Sequence, residues 1–215
     1  DAQESRGLGD VYKRQVQALR LHRRERHRCS QEDTGVTEIT FRRATANDAE
    51  AIAALRVESW RTTYRGVMPD AYLDSMRAEE SAAMWSQVLL ADLPTISIFV
   101  AEAGTELVGF AAGMFLMPEK FEMNAELTAI YLKPIAQRGG VGRRLLSLVA
   151  EALQKQGAHS LLVWVIAGNQ GARQFYQQLG AELLIEQPFT WDGLDLMESG
   201  YGWRDLPALQ QACAI

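Results

Sequence analysis

Apolar residues recur along this chain at two spacings, alternate positions in some stretches and every third or fourth position in others. The switches between them outline a series of strands and helices. Residues 37–43 set Ile39 and Phe41 among polar neighbours and predict a strand. Thr45, Ala46, Asn47 and Asp48 form a capping-box pattern ahead of a helix carrying Ile52, Leu55 and Val57. Trp60, Tyr64, Gly66, Val67 and Met68 make an aromatic-rich bend, and Pro69 is expected at the first position of a short helix reaching Met76. A third helix is expected over 79–90, with Met84, Trp85, Val88 and Leu89. Residues 95–102 and 107–115 then read as strands whose short link holds Gly104, a hairpin signal.

Residues 126–132 form another predicted strand, stopped by Pro134. Beyond it lies a glycine-rich loop, then a helix in which Leu145, Leu148, Val149 and Ala152 share one face, with Gly157 placed to end it. Residues 160–166 are a continuous apolar run, read as a buried strand. A short helix from about Asn169 carries Phe175 and Tyr176 and ends near Gly180. Residues 181–186 and 194–201 close the pattern as two strands. No internal repeat or long linker interrupts 37–215, so one α/β domain is the economical reading.

The loop is Gln137, Arg138, Gly139, Gly140, Val141 and Gly142. A loop that ends a strand and opens a helix leaves backbone N–H groups without intrahelical partners. With the positive end of the helix dipole, these suit a phosphate or pyrophosphate. A nucleotide P-loop needs Gly-Lys-Ser/Thr, which occurs nowhere in the chain. A dinucleotide fingerprint needs G-x-G-x-x-G, but Gly140 and Gly142 are followed by Arg143, Arg144 and Leu145, so the third glycine is missing. Gln137, Arg138, Gly140 and Gly142 do fit the Q/R-x-x-G-x-G/A loop of the GNAT superfamily of acyl-CoA-dependent N-acetyltransferases. An ordinary Gly-rich β–α turn is the bland alternative.

Composition and charge narrow the picture. The chain has 215 residues, 47% of them apolar, enough for a substantial core. No apolar run has the length of a membrane span, and Cys29 and Cys213 match no metal or redox spacing, which points to a reducing, cytoplasmic setting. Residues 1–36 carry eight Arg/Lys against six Asp/Glu, and the rest fourteen against twenty-one. An acidic globular part argues against nucleic acid as partner and suits a cationic amine. Residues 5–15 resemble a translated sequencing-adapter artefact, and residues 19–28 are a basic run, so 1–36 is expected to be a disordered or non-native leader and 37–215 the domain.

Two further stretches resemble the GNAT family. Asn169, Ala172, Phe175, Tyr176 and Gly180 fit its N-x-x-A-x-x-F-Y-x-x-x-G motif, and Trp60, Tyr64, Gly66 and Pro69 fit the W-x-x-x-Y-x-G-x-x-P bend of many bacterial members. Over about 37–202 the resemblance implies an α/β GNAT fold. This has a single mixed central sheet of about six to seven strands, splayed between the fourth and fifth and flanked by about four to five helices.

It also implies transfer of an acetyl group from acetyl-CoA to a primary amine of a small molecule or peptide, without a metal. A catalytically silent acyl-CoA-binding module is the alternative. The pantetheine would meet the backbone of Ile130, Tyr131 and Leu132, and the pyrophosphate would meet Gln137, Arg138, Gly139, Gly140, Val141 and Gly142. Arg143 and Arg144 either assist or form a solvated helix face. Asn169, with Ala172, orients the pantetheine or caps its helix. Tyr176 stands at the general-acid position, its alternative being a core aromatic. Glu126 is the candidate base, with Glu58 and Tyr64 as alternatives. Glu58, Trp60, Tyr64 and Met68 would line the acceptor side or simply belong to the core. His159 is the sole histidine after residue 36, which removes a Ser-His-Asp triad and a His-rich zinc site. Dimers are common in the family.

Overall fold

The computed structural model describes residues 38–214. The adapter-like stretch at 5–15 and the basic run at 19–28 lie outside the described residues. Seven strands form one sheet in the order β1-β2-β3-β4-β5-β7-β6. They are β1 (Ile39–Arg43), β2 (Ile96–Ala103), β3 (Glu106–Lys120), β4 (Met123–Leu132), β5 (Leu161–Ile166), β6 (Glu182–Trp191) and β7 (Leu194–Trp203). Every neighbouring pair is antiparallel except β4 and β5. The expected single mixed sheet is therefore present.

Six α-helices occur among the described residues: α1 (Ala49–Thr63), α2 (Asp70–Ser75), α3 (Ala78–Ala91), α4 (Val141–Lys155), α5 (Gln170–Gln178) and α6 (Leu206–Cys213). The sixth exceeds the expected four to five. Its signals were in the chain: the Asp205 carboxylate accepts from the Ala208 amide at 3.3 Å, with a proline in the first turn. Pro69 is also one position earlier than expected, capping α2 rather than opening it.

The capping box is formed, the Asp48 carboxylate accepting from the Thr45 amide at 2.7 Å and from its hydroxyl at 3.0 Å. Gly157 and Gly180, both at positive φ, end α4 and α5. In each case the next amide reaches back to the carbonyl of Leu153 or Tyr176, so the last helical carbonyls are satisfied where only glycine takes the left-handed turn without strain.

One face of the sheet packs under α4 and α6, where Leu145, Leu146, Val149 and Leu153 meet Leu161, Val163, Trp203 and Leu206. The buried stripe of α4 is rotated from the predicted one. Ala150 and Leu153 are buried, whereas Leu148 and Ala152 are only half-buried. The other face packs under α1 and α3, with Ile52, Leu55, Trp85 and Phe110 at its centre. Beside it an aromatic group collects Trp60, Tyr64, Met68, Leu73 and Ile166.

The close seat of α4 on the sheet depends on Gly113 of β3. A Cβ there would come within 2.5 Å of Val149 Cγ1 and 3.0 Å of the Glu126 carbonyl oxygen. Gly113→Val is therefore expected to cost about 1–3 kcal/mol of stability, read from urea unfolding midpoints. An unchanged midpoint would mean that the helix can lift without loss.

Candidate active site

The parallel pairing of β4 with β5 covers two residue pairs, Glu126 with Leu162 and Leu127 with Val163. Past that point the strands part. Thr128 to Leu132 keep β3 on one side and have no strand on the other, while Trp164, Val165 and Ile166 stay paired with β7. The parting coincides with a bulge. Gly113 pairs with Leu127 and Ala112 with Ala129, so Thr128 is the extra residue, and its hydroxyl donates to the Ala112 carbonyl at 3.1 Å.

The bulge also resets which way side chains point. Glu126 pairs with Met114, Ala129 with Ala112 and Tyr131 with Phe110, all on the α1–α3 face. Strict alternation would have placed Thr128 and Ile130 with Glu126 instead.

The splayed strands open a cleft of about 910 Å³. At its mouth the loop holds Arg138 and Gly140 at positive φ, and Gly140 leads directly into α4. The amides of Arg138, Gly139, Gly140, Val141 and Gly142 donate to no backbone carbonyl or side chain among the described residues. Arg144 is the first to reach back, to the Gly140 carbonyl at 3.0 Å. Gln137 Nε2 ties the loop to the Leu132 carbonyl at 3.3 Å. At Gly142 a Cβ would meet Leu132 Cδ1 at 3.1 Å, so a side chain would push the helix start off the strand end. Free amides, a helix N-terminus and the guanidinium groups of Arg138 and Arg143 in the cleft wall make a donor set suited to a pyrophosphate.

Of the expected residues, Ile130, Tyr131, Leu132, Gln137, Arg138, Gly139, Gly140, Gly142, Arg143, Asn169, Ala172, Tyr176 and Tyr64 line the cleft. Val141 is buried beneath the first turn of α4. Asn169 caps α5, its Oδ1 accepting from the Ala172 amide at 3.1 Å, while its Nδ2 donates to the Tyr64 hydroxyl at 3.4 Å. Trp60 and Met68 are buried in the aromatic group and do not line the cleft. Trp60 acts through Tyr131, donating from Nε1 to its hydroxyl at 2.8 Å. Glu58 is exposed and away from the cleft. His159 is exposed, 3.9 Å from Glu119 and outside the site.

Sequence reasoning passed over Ser59 and Thr63 of α1, Thr128, Trp164 and Phe175, all in the cleft wall. Phe175 stood in the motif, but nothing in the local pattern marks the others. Among the described residues no group of three or more His, Cys, Asp or Glu could hold a metal ion, and no helix is long and apolar enough to cross a membrane.

Glu126 was expected at the head of its strand but is its fourth residue, paired with Leu162 just before the parting, and it does not line the cleft, whose wall begins with Leu127. Its carboxyl is deep in the fold without being sealed. Burial pushes its pKa up to about 7, with Glu198 adding to the rise and Lys120 opposing it. Tyr176 is buried in the cleft wall; burial, with the Tyr64 and Tyr131 phenols nearby, moves its hydroxyl well above the usual tyrosine range. Tyr64 is moved up too, chiefly by burial.

The raised carboxyl has a consequence for stability. A folded pKa near 7 against an ordinary 4.5 means that the native state holds an extra proton between those values. The contribution is fully present below pH 4.5 and is lost as pH rises through about 7. Glu126→Gln is therefore expected to be more stable than the parent by about 1–3 kcal/mol at pH 8, with most of that difference gone at pH 5. The same difference at both pH values would rule out a raised pKa.

The comparisons with known proteins agree with this geometry. Residues 53–181 match the model of the Acetyltransferase (GNAT) family. The uncharacterized N-acetyltransferase YuaI of Bacillus subtilis is 39% identical over 174 residues, 80% of this chain and 96% of that protein. The spermidine N(1)-acetyltransferase of Thermoplasma acidophilum is 26% identical over 76% of this chain and 98% of its own length. The crystal structure of the PaiA N-acetyltransferase of Thermoplasma acidophilum in complex with coenzyme A superposes with a TM-score of 0.59 at 25% identity, covering 75% of this chain and 98% of that one. The chain belongs to the GNAT acetyltransferase family.

Proposed function

We propose that the wedge between β4 and β5 is where this N-acetyltransferase moves an acetyl group from acetyl-CoA to a primary amine of a small molecule or peptide, with Tyr176 as acid and Glu126 as base. The observation that carries this is the parting of two parallel strands below a loop of unengaged amides, with one raised carboxyl at the apex and one buried phenol in the wall.

Bound acetyl-CoA supplies an acyl carbon activated as a thioester and a thiol as leaving group. The backbone of 128–132, free on its β5 side, can receive an extended amide chain as a sheet receives an added strand. The amides of 138–142 with Arg138 and Arg143 hold negative charge at the cleft mouth. A backbone N–H of the 130–132 segment is the donor available to a developing oxyanion.

Glu126, with its pKa near 7, takes the proton of an ammonium at neutral pH. Tyr176, held protonated by its burial, keeps a proton to give to the departing sulfur. The Thermoplasma acidophilum relative is named for spermidine. Glu126 and Glu198 lie on the acceptor face, which suits a cationic amine, so polyamines are the first acceptors to assay. A silent module would bind acetyl-CoA and release no thiol with any amine.

Tyr176→Phe is expected to lower kcat about a hundredfold with little change in KM for acetyl-CoA. The parent's kcat/KM should rise with pH through about 7, as Glu126 ionises. Full activity in the Phe variant would remove Tyr176 as the acid. Gly140→Asp places a carboxylate and a Cβ at a positive-φ position in the anion cradle. It should weaken acetyl-CoA binding more than about tenfold by calorimetry, a loss of about 1.4 kcal/mol or more. Unchanged affinity would mean that the pyrophosphate lies elsewhere.

A further inference from the structure

Three lysines fall among the described residues, and two are held by carboxylates: Lys133 Nζ lies 2.6 Å from Glu106 Oε1, and Lys155 Nζ 2.6 Å from Glu151 Oε1. Lys120 differs. No carboxylate oxygen stands at ion-pair distance from its ammonium among the described residues. Instead Nζ sits 4.4 Å from the centroid of the Trp164 ring and 5.7 Å from that of Phe121.

Trp164 is no remote surface ring. It is the first residue of β5 past the last β4–β5 pair, and it lines the cleft. Its register partner is Gly200 of β7, and a Cβ at Gly200 would come within 3.0 Å of the ring. The absence of that side chain lets the indole lie against β7 with a face left for the ammonium.

Lys120 ends β3 where the chain turns through Phe121 and Glu122, both at positive φ, so its side chain reaches in from a hairpin tip. Its charge acts on Glu126, the carboxylate at the apex of the wedge. An unbranched primary amine belonging to the protein itself is thus held against a ring of the cleft wall, near enough for its charge to be felt at Glu126.

We propose that Lys120 is a self-acetylation site, acetylated within the same chain from acetyl-CoA when no other amine occupies the acceptor face. The inference rests on the acetyl-transfer reading of the cleft. The Lys120 ammonium gives one proton to Glu126, and its nitrogen bonds to the acetyl carbon as the carbon–sulfur bond breaks. Tyr176 protonates the sulfur, and the second proton lost by nitrogen restores the phenol. The products are Nε-acetyl-lysine, coenzyme A thiol and one proton. Acetylation removes the positive charge over Trp164 and beside Glu126, so a marked chain presents a different acceptor face from an unmarked one.

The test reads mass on the chain and not only turnover. The full chain is incubated with acetyl-CoA and no amine, and the positions acetylated are mapped by peptide mass spectrometry. Lys120 is expected to acquire the acetyl group at least about tenfold faster than Lys133 or Lys155, since a held amine gains from proximity and a solvated one does not. The rate per chain should be independent of protein concentration, Lys120→Arg should abolish the mark, and Tyr176→Phe should slow it along with turnover. Equal labelling of the three lysines, or a rate that grows with protein concentration, overturns the proposal. An unmarked Lys120 in a sample that releases thiol with an external amine overturns it while leaving the acetyltransferase reading intact. A sample that neither marks Lys120 nor releases thiol with any amine overturns both.

Discussion

The site depends on β4 and β5 ceasing to pair. Two parallel strands at the middle of a sheet would ordinarily run their ladder to the end, because each unpaired buried amide or carbonyl costs free energy. Here the ladder stops after Leu127 and Val163, leaving a segment of β4 with hydrogen-bonding capacity on one side. The extra residue at Thr128 belongs to the same deformation. It bends β4 where the partner is lost, and the Thr128 hydroxyl engages the Ala112 carbonyl on the intact β3 side. The candidate groups are arranged around that gap. The loop of free amides stands at its open end, Glu126 at its closed end and Tyr176 in its wall.

The two ionisable groups have been moved in the same direction with different results. Burial disfavours charge on both Glu126 and Tyr176. For the carboxyl this brings its titration up to about neutrality, so it can hold or release a proton there. For the phenol it moves titration further from neutrality, so the proton stays on oxygen. One physical cause, low solvent access, thus leaves one group able to exchange a proton near neutrality and the other holding its proton. The local charges are secondary: Glu198 and Lys120 act on Glu126 in opposite senses.

Much of this was legible in the chain because it is local. The glycine loop, the Asn169–Tyr176 register and the helix stops at Gly157 and Gly180 are short-range signals, and each lies where the sequence placed it. The bulge was not legible. From Met123 to Ala129 apolar and polar residues alternate without a break, so the pattern runs straight through Thr128 and gives no sign of a slipped residue. Pro118 and Glu119 hid the length of β3, since a proline and a charge read as the end of a strand. β6 runs on past the expected 186 to Trp191, up to the Asp192-Gly193 turn, whose two residues are both at positive φ. Trp60 and Met68 show the opposite limit. Their spacing marked them correctly as part of the bend, but burial puts them behind the cleft wall rather than in it.

What keeps the wedge open is a set of contacts far apart in sequence. Arg173, three residues before Tyr176 on α5, donates to the Tyr201 hydroxyl at 3.1 Å and the Ala167 carbonyl at 3.2 Å, and pairs with Glu186 at 2.8 Å. One guanidinium thereby fastens α5 to β6, β7 and the end of β5. On the other side Trp60 donates to Tyr131 of β4, and Trp191 of β6 donates to the Tyr72 hydroxyl of α2 at 2.7 Å. The β4 arm is held from α1, and the β5 arm is held through α5 and β7. Two hydrogen bonds join one arm to the other, Trp191 to Tyr72 and the long Asn169–Tyr64 contact at 3.4 Å, both at the side of the wedge. The arms are therefore braced from outside, leaving the space between them to be filled by a ligand rather than by the protein's own core.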